Sequence, residues 1–207
     1  MRSFNLSTRV VGFAIVMLSL MAGGCVRIAH PVLKDDQVTT DDALLGKWVS
    51  DDGKVHGEMK AGAAGKGENH EYKLSYTNQQ GETGNFLVRL GKIGDKTVAE
   101  VTADALPPTA NDEARSLTMP LYTLFVIEVT SPKVSLRAID IEWLKKYTRA
   151  HPDELDTIGP REDLIVNAST EAFQAFCIRH FKDDGMLSEA NVFVRPGDAT
   201  TQPAIRK

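Results

Sequence analysis

The rhythm of hydrophobic and polar positions changes three times along this chain. Val10 to Ala22 is an apolar run broken only by Gly12 and Ser19. Val26 to Asp42 loses all periodicity, with Pro31, Asp35, Asp36, Thr39 and Thr40 scattered through it. Period-two alternation then takes over, the pattern of a strand with one buried face. In Glu71 to Thr77, Tyr72, Leu74 and Tyr76 fall on one face and Lys73 and Ser75 on the other. The same reading predicts strands over Lys47–Ser50, Lys54–Met59, Asn85–Ile93, Lys96–Ala103, Leu121–Thr130 and Val134–Ala138. Asp51-Asp52-Gly53 is a hairpin-turn signature between the first two. Asn78 to Gly84 and Ser131-Pro132-Lys133 are further turns, and Thr40-Asp41-Asp42 caps one helical turn before Gly46.

The last third is different. Ile141, Leu144, Lys145 and Thr148 recur at helical spacing, predicting a helix over 139–150 that stops before His151-Pro152. Glu162 to Val166 is a brief strand. A second helix is predicted from Ser169 or Thr170 to about Lys182, ended by Gly185, with a last strand over Asn191–Arg195. The expected fold is mainly β (α+β): an antiparallel meander of about seven short strands, barrel-like or strongly curved, with two C-terminal helices. The expected organisation is a targeting segment over 1–24, a tether over 25–42, a β-rich domain over 43–195 and a flexible tail over 196–207.

Composition narrows the function. With 207 residues, 42% hydrophobic and 25% charged, the chain is ordinary globular protein, which excludes disorder and collagen-like repeats. A formal charge of −4 argues against a nucleic-acid partner, whose binding surface would be basic. Two cysteines, Cys25 and Cys177, can frame neither a disulfide scaffold nor a Cys-rich zinc site.

Arg2 and Arg9 precede the apolar run, and Ala22-Gly23-Gly24-Cys25 follows it. A run of about thirteen residues suits a signal h-region and is short of the roughly twenty a spanning helix needs. The whole segment resembles the lipobox signal peptide of bacterial lipoproteins, although Ala22 stands where Leu is usual. The resemblance implies a diacylglyceryl group on the Cys25 thiol, removal of residues 1–24, and anchoring through membrane lipid without a transmembrane span. Val26, where Asp would favour inner-membrane retention, implies outer-membrane placement in a diderm host. Loss of Arg2 and Arg9 leaves 22 basic against 28 acidic side chains, a formal charge of −6.

Leu45-Gly46-Lys47-Trp48 at the start of the first strand, together with the meander, resembles the Gly-x-Trp opening of lipocalin-like barrels. There the tryptophan plugs the closed end; an ordinary core tryptophan is the competing explanation. Leu164 to Glu189 is similar to a strand–helix–strand ending in uncharacterised bacterial lipoproteins of similar size.

Three side-chain groups invite chemistry. His56, Glu58, Glu68 and His70 have the His-x-Glu and Glu-x-His spacing of metal ligands on strands. A single apolar sheet face, however, puts Val55 and Met59 with Tyr72, Leu74 and Tyr76. That register turns His56 away from His70, so no metal site is expected. Cys177 and His180 are neighbours on one helix face, the beginning of a nucleophilic site. Yet Phe173, Phe176, Cys177 and His180 also form that helix's apolar stripe, with Phe181 at its edge, which makes Cys177 a core residue. Asp153, Glu154 and Asp156 lack the spacing of a calcium loop and are read as solvated charge, and Asn167-Ala168-Ser169 is a chance match to a glycosylation sequon. No phosphate loop, nucleophile elbow or zinc helix is present, and no cofactor is expected. The expectation is a lipid-anchored binding or envelope-interaction module, with a protein or small ligand bound at a barrel mouth or at loops 60–67 and 106–117. The alternative is a hydrolase-like enzyme using Cys177 and His180.

Overall fold

The computed structural model describes residues 25–62, 70–104, 120–160 and 163–198. Its centre is a closed antiparallel barrel of eight strands. Six follow one another as hairpin neighbours: β3 (Gly46–Ser50), β4 (His56–Ala61), β5 (Glu71–Thr77), β6 (Thr83–Ile93), β7 (Lys96–Ala103) and β8 (Tyr122–Thr130). β9 (Lys133–Ala138) continues the meander, and β12 (Asn191–Val194) inserts between β9 and β3. Closure leaves these strands no long unpaired edge. The expected meander is therefore present, closed by a strand from the far C-terminus.

Alternation decides which side chains point inward. Met59 lies opposite Leu74, Gly57 opposite Tyr76 and Ala61 opposite Tyr72, the odd-with-even pairing expected from a single apolar face. The inward set continues around the ring through Phe86, Val88 and Leu90, Ala99 and Val101, Phe125 and Ile127, Val134 and Leu136, and Phe193.

A second core lies outside the barrel. The outward-facing Val98 of β7 and Leu124 and Val126 of β8 are covered by α1 (Ile141–Ala150) and α2 (Thr170–His180). Asp140 caps α1, accepting from the Trp143 amide at 2.8 Å, and Ser169 caps α2, accepting from Ala172 at 3.3 Å. Each cap satisfies an amide that has no partner within its own helix. Leu144, Phe173, Phe176 and Cys177 are fully buried between the helices and the sheet.

Residues 26–42 depart from the expected tether: they are folded onto the domain. Val26, Ile28, Val32 and Leu33 are all buried. β1 (Arg27–Ile28) pairs antiparallel with the start of β8 and parallel with β11 (Ile165–Val166), which in turn pairs with β10 (Thr157–Ile158). β2 (Val38–Thr39) pairs with β6 where β5 has ended. Gly91 makes this approach possible, because a Cβ there would lie 2.8 Å from the Gln37 carbonyl oxygen.

A buried ion pair fixes the segment. Glu100, on the outer face of β7, is only 3% exposed and meets Arg89 Nε at 2.9 Å. Its other oxygen accepts the amides of Val32 and Leu33, the latter at 2.9 Å. Arg89 in turn donates to the Leu33 carbonyl and to Asp35 at 3.0 Å. One buried carboxylate thus accepts two amides and stands in an ion pair with the half-buried Arg89, the pairing a buried charge requires.

Candidate functional site: the open end of the barrel

The two ends of the barrel are built differently. At one end Asp41 caps a 3-10 turn over Asp42–Leu44, and Leu44 is buried across the opening. Trp48 Nε1 donates to the Leu44 carbonyl at 2.8 Å. The Arg195 guanidinium lies 3.7 Å from the Trp48 ring centroid and donates to the carbonyls of Leu45 at 2.8 Å and Ala43 at 2.6 Å. Gly46 must be glycine: its φ is +101°, and a Cβ would lie 3.1 Å from Arg195 Nη1. From the opposite wall the Tyr72 hydroxyl accepts the Asp41 amide at 2.6 Å. Its phenol is pushed above the ordinary value, chiefly by burial. Trp48, Tyr72, Val88, Leu90, Ala99, Ile127 and Val134 are buried beneath this cap. Leu44, Trp48 and Arg195 therefore close this end together.

The other end is open. Leu74, Tyr76, Phe86, Val101, Phe125 and Leu136 point into the barrel yet remain half-buried. Tyr76 and Phe86 meet edge to face, with ring centroids 6.4 Å apart. Inward-facing apolar side chains that keep solvent contact make this the less tightly sealed end of the barrel. Thr123 adds a polar group, its Oγ1 buried among this apolar lining. Among the described residues the rim comprises the hairpin tips at Asp51–Lys54 and Asn78–Glu82, with Asp104 and Pro120 where β7 ends and β8 approaches.

Cys25 sits at this same end. Only Val26 separates it from β1, and Ile28 is paired with Tyr122, the first residue of β8. The residue as a whole is exposed, but its thiol is desolvated and pushed above the ordinary value, an effect partly offset by the adjoining Thr123 hydroxyl. The Tyr76 phenol is likewise raised, by burial first and by Cys25 second. Thr123 and Tyr76 both face inward at this end of the barrel.

The other sequence candidates separate. Cys177 is fully buried in the outer core, and desolvation pushes its thiol far up. His180 turns away to a polar group: its Nδ1 is 2.7 Å from Asp183, and its Nε2 is 3.2 Å from the Tyr147 hydroxyl, which donates to Glu154 at 2.8 Å. A neutral thiol with no hydrogen-bonding partner cannot serve as an activated nucleophile. His56 lies opposite Thr77, at the far end of β5 from His70, and Glu68 lies outside the described residues. Among the described residues no group of three His, Cys, Asp or Glu side chains is placed to hold a metal ion. Glu154 is held below the usual carboxylate range, first by the Tyr147 hydroxyl, and Asp156 accepts from Asn167 at 2.8 Å. Loop 106–117, most of loop 60–67 and all of 1–24 lie outside the described residues, as does most of the tail.

Arg195, Thr123 and Phe86 had no role in the sequence reading. Arg195 carries a faint signal, a cation after an apolar strand and just before Pro196. Its partner Trp48 lies at the other end of the domain sequence. A groove of about 340 Å³ on the outside of the barrel is lined by Pro31, Leu87, Thr102 and Tyr122. The Arg89 and Glu100 side chains at its base are already committed to the N-terminal segment. The chain matches no protein-family model, and no curated protein or solved structure is detectably similar to it.

Proposed function

We propose that this protein is a lipid-anchored module of the bacterial cell envelope that binds an apolar small molecule in its barrel. The observation that carries the reading is the asymmetry of the inward face. The lining is buried beneath Trp48 and Arg195 at one end and half-open at the other. Concave, mostly apolar recesses with a few polar groups are where small ligands bind. The plugged tryptophan end strengthens the likeness to lipocalin-like barrels. The lipobox-like Ala22-Gly23-Gly24-Cys25 supports anchoring at Cys25, and Val26 supports the outer membrane.

The test is a titration of the protein lacking residues 1–24, as Cys25→Ser, with N-phenyl-1-naphthylamine. Saturable enhancement, competed by a long-chain fatty acid, is expected. Val101→Trp, which fills the recess from its wall, should weaken binding at least about tenfold, equivalent to roughly 1.4 kcal/mol. Enhancement that does not saturate, or that ignores Val101→Trp, would contradict the binding site. For the anchor, full-length Cys25→Ser should leave the membrane fraction; continued retention would refute lipidation.

A further inference from the structure

The geometry points to a barrel whose open end faces the bilayer and whose ligand is an acyl-chain lipid exchanged with that same leaflet. This rests on the reading of Cys25 as the acylated residue and of the barrel as a binding module. The attachment residue and the recess are at the same end of the molecule, because Ile28 pairs with Tyr122 where β8 begins. Between them there is no slack. Val26 is 2% exposed, Ile28 is buried, and Glu100 holds the amides of Val32 and Leu33.

A flexible tether would let the domain tumble at a distance set by its length. Here the acyl chains would leave from Cys25, separated from β1 only by Val26 and lying at the end of the molecule where β8 begins. Chains that enter the bilayer from that point draw the rim to the headgroups, and the plugged Trp48 end faces away. A molecule leaving the recess then meets lipid before water, which favours a ligand that is itself a membrane lipid or a single acyl chain. Charge does not create this contact. The described rim carries Asp51, Asp52, Glu82 and Asp104 against Lys54, so anionic headgroups repel these residues and it is the anchor that supplies the orientation.

The test uses the processed, lipidated full chain in vesicles of phosphatidylethanolamine and phosphatidylglycerol. A bimane label is placed at Gln80→Cys on the rim or at Asp95→Cys in the β6–β7 turn of the opposite end; Cys177 is buried and does not compete. Lipids brominated in the acyl chains should quench the label at 80 and spare the one at 95. About 15 Gly and Ser residues inserted between Cys25 and Val26 give a reach of roughly 20 Å. This insertion should keep the protein on the vesicles, abolish quenching at 80, and slow protein-mediated transfer of a pyrene-labelled phospholipid about tenfold by lowering the effective concentration of mouth and membrane.

Equal quenching at both positions, or none at 80, overturns the orientation. A transfer rate unchanged by the insertion overturns direct exchange. Release of the lipidated chain from vesicles overturns the proposal through its anchor. Firm retention and quenching at 80, with no binding of N-phenyl-1-naphthylamine, overturns it through the binding reading.

Discussion

Replacing Glu100 should loosen the N-terminal segment while leaving the barrel closed. In Glu100→Gln one oxygen remains to accept the Val32 and Leu33 amides, but the charge facing Arg89 Nε at 2.9 Å is gone. Hydrogen bonds to charged groups contribute about 1.5–3 kcal/mol. Removing one partner of a fully buried pair costs about 3–5 kcal/mol. The Arg89 side chain is 22% exposed and keeps the Leu33 carbonyl and Asp35. It can therefore recover part of its solvation, and the lower range applies. The expected loss for Glu100→Gln is about 2 kcal/mol, or roughly 4–8 °C in Tm for a domain of this size. Glu100→Ala should reach about 3–4 kcal/mol, because two buried amides also lose their acceptor. Urea unfolding measures the loss, and amide exchange at Val32 and Leu33 locates it. A Glu100→Gln protein within about 0.5 kcal/mol of wild type, with unchanged protection at both amides, would refute this account of the segment.

Arg195→Ala should cost about 2–3 kcal/mol through loss of the Trp48 contact and the bonds to the Ala43 and Leu45 carbonyls. Arg195→Lys should not restore it, since one ammonium cannot reproduce the fork over the ring; thermal melts of the two variants decide. Cys177 should resist a water-soluble disulfide reagent until the domain unfolds, and rapid labelling of folded Cys25→Ser protein would contradict its burial. The Cys177 thiol is raised from its ordinary value of 9.0, so the unfolded chain loses its proton first. Stability should therefore fall as pH rises above about 9, with a smaller fall in Cys177→Val, read from urea midpoints at about pH 8 and pH 10. Asp52 is lowered from 3.8 to about 2, chiefly by the Ser50 hydroxyl with help from Lys54. Its contribution to the hairpin is present above pH 3.8 and lost as pH falls toward 2. Carboxyl NMR should show its midpoint rising in Ser50→Ala.

What the chain reveals without coordinates is its local rhythm. β5 and β7 fall on the predicted residues because alternation in β5 is clean, Asn78 follows its end, and Gly94 turns the chain just before β7. The cap of the second helix is visible as Ser169 before its apolar spiral, whereas Asp140, which caps the first, falls inside the helix predicted over 139–150. Long-range pairing is what stays hidden. Val26, Ile28, Val32 and Leu33 are interrupted by Pro31 and share no period, so the segment reads as a tether. Its partners are a carboxylate some seventy residues on and a two-residue strand later still. Barrel closure depends on β12, whose four residues carry no mark that they belong between β9 and β3. Half of the candidate site is legible: Gly46, Trp48 and Cys25 stand out by pattern. The recess does not, because inward-facing Val101 and Phe125 look the same in sequence as the buried Ala99 and Ile127 beside them.

The central claim is that an apolar ligand enters the open end of the barrel. Methyl-resolved NMR of the protein, deuterated except at its methyl groups and saturated with a fully protonated long-chain fatty acid, tests it most directly. The account predicts intermolecular NOEs to Leu74, Val101 and Leu136, with none to Val98, Leu124 and Val126 on the outer face. NOEs confined to the outer face, or absent at saturation, would contradict it.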